Sequence, residues 1–239
     1  MQDLEVRSFE AYQSYIKKNP GELEALDRCC FITISRFWRD RTAPLRDRAV
    51  FDALRDTIFP QIARLAQHRG DSTLRGWSAA CASGEEPYTL NLLWRIDLQP
   101  QFPDLAFEMI ATEVQPEMLV RAQNACYPVK TIRFTPPHWQ KQAFTFTENE
   151  CQVIPAYRQG ITWQQQDIRA KMPPGRFHFI FCRNLPFTYF NQALQEEIAQ
   201  KLKQKLYPGG LLVIGAKEVL PATQQPLFNA SSIPGVFFA

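Results

Sequence analysis

From residue 73 to residue 216 the chain alternates short apolar runs with stretches of helical periodicity. That alternation restricts the fold more than any other feature. TLRGWSAA (73–80), AFEMIATE (106–113), residues 161–166, FHFIFC (177–182) and LLVIGA (211–216) read as strands. Residues 85–96 and 116–126 read as helices. Between Asn191 and Leu206, the residues Leu194, Ile198, Leu202 and Leu206 recur every four positions, and Pro208-Gly209-Gly210 breaks that helix. The terminal GVFFA reads as a closing strand. Short apolar strands that alternate with helices predict an α/β fold with a mostly parallel sheet covered on both faces.

Upstream of this pattern, residues 3–18 and 21–30 read as helices, separated by Asn19-Pro20-Gly21. Phe51, Leu54, Ile58, Ile62 and Leu65 form the apolar stripe of an amphipathic helix over about 45–68, bent near Pro60 and ended by Gly70. The expected division is an N-terminal helical segment, 1–70, and a main domain, 71–239. Residues 128–160 interrupt the alternation with Pro128, Pro136, Pro137 and Pro155 and scattered aromatic residues. They read either as a small insertion packed on the edge of the main domain or as a long irregular loop.

Composition narrows the function. The hydrophobic fraction of 45% excludes intrinsic disorder. The formal charge of +3, from 27 basic and 24 acidic residues, argues against a nucleic-acid partner held by bulk charge. No apolar run approaches the ~18 residues that mark a membrane span. The opening MQDLEVRSFE has neither the basic start nor the apolar block of a secretory leader, so a cytoplasmic location is expected. The six cysteines form no C-x-x-C pair and the three histidines are scattered, so no metal site is expected. Free, mostly buried thiols fit better.

Ligands of an open parallel sheet bind beyond the carboxyl ends of its strands. There the first strand runs into Ala79-Ala80-Cys81-Ala82-Ser83-Gly84-Glu85-Glu86-Pro87-Tyr88, where Ala79 through Gly84 are small enough for a ligand to approach the backbone. Glu85 and Glu86 have no adjacent lysine to offset them, which disfavours a pyrophosphate and favours a ligand with positive charge. They could equally serve only to complement a helix N-terminus. Glu113 ends the second strand, where an acid commonly accepts ribose hydroxyls. A small loop, neighbouring acids and a strand-end acid together suggest an adenosine ligand with a cationic group, and S-adenosylmethionine fits.

The fourth strand adds Phe181-Cys182-Arg183-Asn184-Leu185-Pro186-Phe187-Thr188-Tyr189-Phe190. Together, W-S-A-A-C-A-S-G-E-E-P-Y (77–88), A-T-E-V (111–114) and F-C-R-N…Y-F (181–190) resemble the chemotaxis-receptor glutamate O-methyltransferase (CheR-type) family. I-T-I-S-R-F-W-R-D (32–40) resembles that family's segment ahead of its catalytic domain. The resemblance implies a Rossmann-like class I methyltransferase fold with a seven-stranded, mostly parallel sheet. It also implies S-adenosyl-L-methionine as cofactor and a protein glutamate as methyl acceptor. Thr33, Ser35 and Arg39 would then sit over the cofactor, with Arg39 near the transfer centre. Glu86 would meet the methionine end, Glu113 the ribose, and Asp167 with Ile168 the adenine. Arg183 and Asn184 would line the pocket, and Tyr189 would face the acceptor. The insertion corresponds to the family's receptor-docking subdomain, so a protein substrate docked there is expected. The chain departs from the family pattern at Thr33, where asparagine is usual, and at Glu113, where aspartate is usual.

Other readings stay open on these residues. Asn184-Leu185-Pro186-Phe187 also resembles the tetrad of adenine N6-methyltransferases, which would make nucleic acid the acceptor. A small-molecule carboxylate is a further candidate acceptor. A non-catalytic module that binds the cofactor and docks a partner through 128–160 would need the same pocket. Oligomeric state is not legible.

Overall fold

The computed structural model describes residues 52–133 and 135–239. The helices expected at 3–18 and 21–30, and Phe51, lie outside the described residues. A seven-stranded sheet forms the centre, in the order β6 (Ile161–Gln165), β2 (Ala106–Glu113), β1 (Thr73–Ala79), β7 (Phe177–Cys182), β8 (Leu206–Val213), β10 (Val236–Phe238), β9 (Asn229–Ala230). The pairs β6–β2, β2–β1, β1–β7 and β7–β8 are parallel, and the last two strands add antiparallel. The order reverses direction at β1, creating the switch point at which such sheets hold ligands.

Helices α1 (Phe59–His68), α2 (Glu85–Leu92), α3 (Pro116–Asn124) and α6 (Gln192–Lys205) cover this sheet, and α5 (Pro186–Tyr189) is a single turn after β7. β7 is buried along its whole length, the pattern of a strand covered on both faces. On one face Phe179 is the hub, packing edge-on to Phe59 of α1 at 5.0 Å and stacking on Phe107 at 5.7 Å. On the other, Trp77, Ile180, Ile198, Leu202 and Leu212 form a second cluster.

The stripe on α1 is shifted from its expected position. Leu54, Ile58 and Ile62 are buried as the spacing predicts, but Phe59, Ala63 and Ala66 complete the inner face and Leu65 is exposed. Pro60 explains the shift. It has no N–H to give to the preceding turn, so Leu54–Ile58 widens and Phe59 N–H reaches back to the Leu54 carbonyl.

A second departure lies in β8. Pro208-Gly209-Gly210 falls inside the strand instead of ahead of it. Pairing jumps from Phe177–Leu206 to Phe179–Leu211, a bulge that Gly209 permits with φ +75°. The bulge is held by Ala239: Gly209 N–H donates to the Ala239 carbonyl at 2.7 Å, and Ala239 N–H to the Gly210 carbonyl at 2.8 Å. β9 carried no sequence signal, being only two residues long.

Part of the 128–160 stretch carries secondary structure of its own. β3 (Cys126–Pro128), β5 (Glu150–Val153) and β4 (Phe144–Phe146) make a small antiparallel sheet, with α4 (Pro137–Ala143) packed alongside. Trp139 is fully buried beneath it, and its indole N–H donates to the Asp97 carboxylate. Cys81, Cys126, Cys151 and Cys182 are free, all but Cys126 buried. Among the described residues no cluster of metal-ligating side chains occurs, and no helix is long and apolar enough to cross a membrane.

Candidate active site

Four parallel strands end in step. Ala79 lies opposite Thr112 and Cys182, and Glu113 lies opposite Gln165. The segments leaving β1, β2, β6 and β7 therefore emerge at one edge. Every buried carboxylate among the described residues belongs to a segment leaving that edge or to the turn after β8: Glu85, Glu86, Glu113 and Glu218. Buried acids are tolerated only where donors meet them, so each one marks a built arrangement of partners.

Glu113 braces the loop after β1. Its Oε2 accepts the Ala82 N–H at 3.0 Å, while Oε1 accepts the N–H groups of Val114 at 2.8 Å and Gln115 at 3.1 Å. The braced loop is strained: Ala80 (φ +56°) and Ala82 (φ +48°) are left-handed without being glycine. Gly84 is left-handed too, at φ +88°, and a Cβ there would lie 2.7 Å from Ala122 Cβ and 2.9 Å from the Trp163 ring. The loop reaches its shape only because residue 84 lacks a side chain.

The neighbouring acids part company, because successive helical residues point about 100° apart. Glu86 faces the strand ends, where Oε1 accepts the Ser78 hydroxyl at 2.8 Å and Oε2 meets Arg183 Nη1 at 3.3 Å. Although no lysine adjoins the two acids in sequence, Arg183, remote in the chain, lies against Glu86. Glu85 turns the other way, accepting the Ser83 hydroxyl at 2.8 Å and lining a small apolar cavity against Tyr127, Thr131 and Trp139 of the insertion. The insertion also grips the loop directly, since the Tyr127 hydroxyl donates to the Ser83 carbonyl at 2.8 Å.

At the end of β7, Asn184 is left-handed with φ +57°. Its N–H donates to Glu218 Oε2. Tyr189 is exposed while the adjacent Phe190 is buried, so the tyrosine is not a core residue. At the end of β6, Ile168 is buried and the Asp167 carboxylate is fixed by Arg169, whose guanidinium approaches to 2.6 Å. That pairing holds the Asp167 carboxyl below its ordinary range. The structure thus brings Ala79, Gly84, Glu86, Glu113, Asp167, Ile168, Arg183, Asn184 and Tyr189 to segments leaving one edge. Thr33, Ser35 and Arg39 lie outside the described residues. The larger groove on the surface, about 230 Å³ between Met172 and Lys201, shares only Ile168 with this set.

Sequence reasoning missed four participants. Ser78 is a hydroxyl set between Trp77 and Ala79 at the end of the first strand, a signal that was available. Glu218 follows an apolar strand and a glycine, the same kind of signal that singled out Glu113. Gln166, whose side-chain Nε2 is buried without a hydrogen-bond partner among the described residues, and Tyr127 carried no signal. Two thiols sit among the acids. Burial, reinforced by Glu113 and Glu86, pushes the Cys81 thiol well up, and burial with Glu218 and Glu86 does the same for Cys182. Both stay protonated at neutral pH and are not nucleophiles.

The strand order, the acid-braced small loop and the strand-end carboxylate define a class I S-adenosylmethionine-dependent methyltransferase. Residues 40–236 match the family described as the CheR methyltransferase SAM binding domain, and the chain belongs to that family. A Rhizobium etli protein named as a probable chemotaxis protein methyltransferase is 30% identical over 82% of this chain and 74% of its own length. The chemotaxis protein methyltransferase of Listeria monocytogenes is 29% identical over 88% of this chain and 74% of its own. That of Borreliella burgdorferi is 24% identical over 90% and 75%.

Proposed function

We propose that this methyltransferase esterifies a glutamate carboxylate of a protein acceptor, with the methyl-transfer site at the shared edge of β1, β2, β6 and β7. The observation that carries the reading is the donor-side chemistry of that edge. Its buried acidic groups are the carboxylates Glu85, Glu86 and Glu113, which accept hydrogen bonds and attract cations, and no buried lysine or arginine accompanies them among the described residues. The residues fit S-adenosylmethionine. Glu86 has acceptor capacity beyond Ser78 and Arg183 for an ammonium group. Glu113 keeps one open acceptor position, on Oε2, for a single ribose hydroxyl. Gln166 has a buried donor to offer a base, beside Asp167 and Ile168. Bound there, the cofactor supplies an electrophilic methyl group on a sulfonium.

The chain's own task is alignment. A glutamate acceptor has a pKa near 4.3 and is already ionised at neutral pH, so no general base is needed. The histidines agree with this. His178 is engaged with Asp71 and the Arg75 N–H, and His138 with Asp97. Arg39 orients the acceptor carboxylate in bidentate fashion and Tyr189 adds a hydrogen bond. The insertion at 128–160 docks the protein that carries the acceptor. The relatives' names, which place them in chemotaxis, support a signalling protein as acceptor. An adenine acceptor is disfavoured because Phe187, the aromatic of the tetrad it would need, is buried in the core.

The test supplies labelled S-adenosylmethionine and a glutamate-bearing chemoreceptor fragment, then measures methanol released by alkali. Label that alkali releases is the expected result, since a carboxyl ester hydrolyses where an N-methyl group does not. Alkali-stable label would refute the carboxylate acceptor. In the same assay Arg39→Ala should reduce kcat far more than affinity for S-adenosylhomocysteine. Equal losses would make Arg39 a cofactor clamp instead.

A further inference from the structure

Glu218 lies in the turn beyond β8, outside every motif of the sequence, yet its carboxylate joins two separate segments. Oε2 accepts the Asn184 N–H at 2.8 Å and the Gly215 N–H at 2.6 Å, and Oε1 accepts the Thr188 hydroxyl at 2.7 Å. Two of these donors belong to the segment after β7 and one to Glu218's own turn. A carboxylate only accepts hydrogen bonds, so it matches three converging donors. Asn184 is left-handed, a conformation asparagine tolerates better than most residues, and the bond from its N–H to Glu218 is in place to fix it there. The approach also depends on Gly215, where a Cβ would lie 2.5 Å from Asn184 Oδ1 and 2.8 Å from Glu218 Oε2. Glu218 itself is buried, so its bonds are shielded from competing water.

We propose that Glu218 is a positioning residue for methyl transfer. It holds Asn184 in its left-handed conformation and, through Thr188, fixes the turn of α5 that ends in Tyr189. It acts through those residues and is not itself a catalytic group. The proposal rests on the assignment of Asn184 and Tyr189 to the methyl-transfer site.

The test compares Glu218→Ala, Glu218→Gln and Thr188→Val in the full chain by three readouts: hydrogen exchange of residues 183–190, affinity for S-adenosylhomocysteine, and kcat in the methanol-release assay. Gln retains one acceptor oxygen for the two N–H groups and turns its NH2 toward the Thr188 oxygen, so it should preserve the clamp. Glu218→Ala should speed exchange at 183–190 by at least ~10-fold while β1 stays protected, and lower kcat by about 10- to 100-fold. Glu218→Gln should restore both to within ~3-fold of the parent protein. Should Glu218→Ala fail to fold, Thr188→Val removes only the Oε1 contact and should show the same pattern at smaller amplitude. Unchanged exchange at 183–190 overturns the proposal, as does faster exchange with unchanged kcat. A loss in Glu218→Ala that Gln does not rescue overturns it too. Absence of S-adenosylhomocysteine binding by the parent protein would instead sink the site assignment beneath it, so the two failures are distinguishable.

Discussion

Replacing Glu113 by glutamine separates two roles that an acid at the end of β2 can play. The carboxylate gives Oε1 to two backbone N–H groups and Oε2 to a third, on Ala82. Glutamine has one acceptor oxygen, and either orientation of its amide sets an NH2 against an N–H group. The better orientation keeps Val114 and Gln115 satisfied and leaves the Ala82 donor without a partner. An unsatisfied donor costs about 1–3 kcal/mol when fully buried, an upper bound for the half-buried Ala82 N–H. For a domain of this size that lowers the melting temperature by roughly 2–12 °C before any ligand is added. The same strain loosens the loop that S-adenosylhomocysteine must meet, so its affinity should fall by about 5- to 150-fold. Calorimetry with S-adenosylhomocysteine and with its 2′-deoxy analogue tells bracing from ribose contact. Bracing carries the same penalty to both ligands, whereas a ribose contact removes most of it from the deoxy ligand. An unchanged melting temperature with a penalty confined to the ribose ligand would refute the brace.

Two further outcomes follow from described contacts. Tyr127→Phe deletes the hydroxyl that serves the Ser83 carbonyl, and should weaken S-adenosylhomocysteine binding by about 5- to 150-fold although the change lies in the insertion; affinity equal to that of the parent protein would show the contact to be idle. Burial lowers the His178 pKa despite its bond to Asp71, so the unfolded chain takes up a proton near pH 6.5 that the native protein refuses. Stability should therefore fall as pH drops below about 6.5, with a further loss below about 3.8 as Asp71, whose pKa is lowered, is protonated. Thermal melts from pH 8 to pH 2.5 check this. His178→Gln should flatten the upper limb, and an identical pH profile would exclude His178 as its source.

Much of the sheet was legible because β7 is apolar along its whole length and β2 alternates buried with exposed residues before becoming buried at its end; both fall at their expected bounds. Expectation failed where one residue overrides the local pattern. Pro60 rotates the buried face of α1 away from Leu65, and Gly209 lets β8 begin ahead of the Pro-Gly-Gly run that looks like a stop. The insertion hid its order because its strands are only three or four residues long. At the site, residues adjacent to strand ends could be named from position alone. Their partners could not: Arg183 meets Glu86 across 97 positions and Glu218 meets Asn184 across 34, separations that no local pattern encodes.

The loop after β1 is fastened from the Glu113 side by the Ala82 N–H and from the insertion by Tyr127, all with atoms of the chain itself. Its left-handed alanines are thus set when the protein folds, not when the nucleoside arrives. Little conformational entropy remains to be lost on association, which favours fast capture at a rigid rim over slow closure around the ligand. Turnover in such an enzyme is then governed by how the acceptor is presented and by how quickly the spent nucleoside leaves.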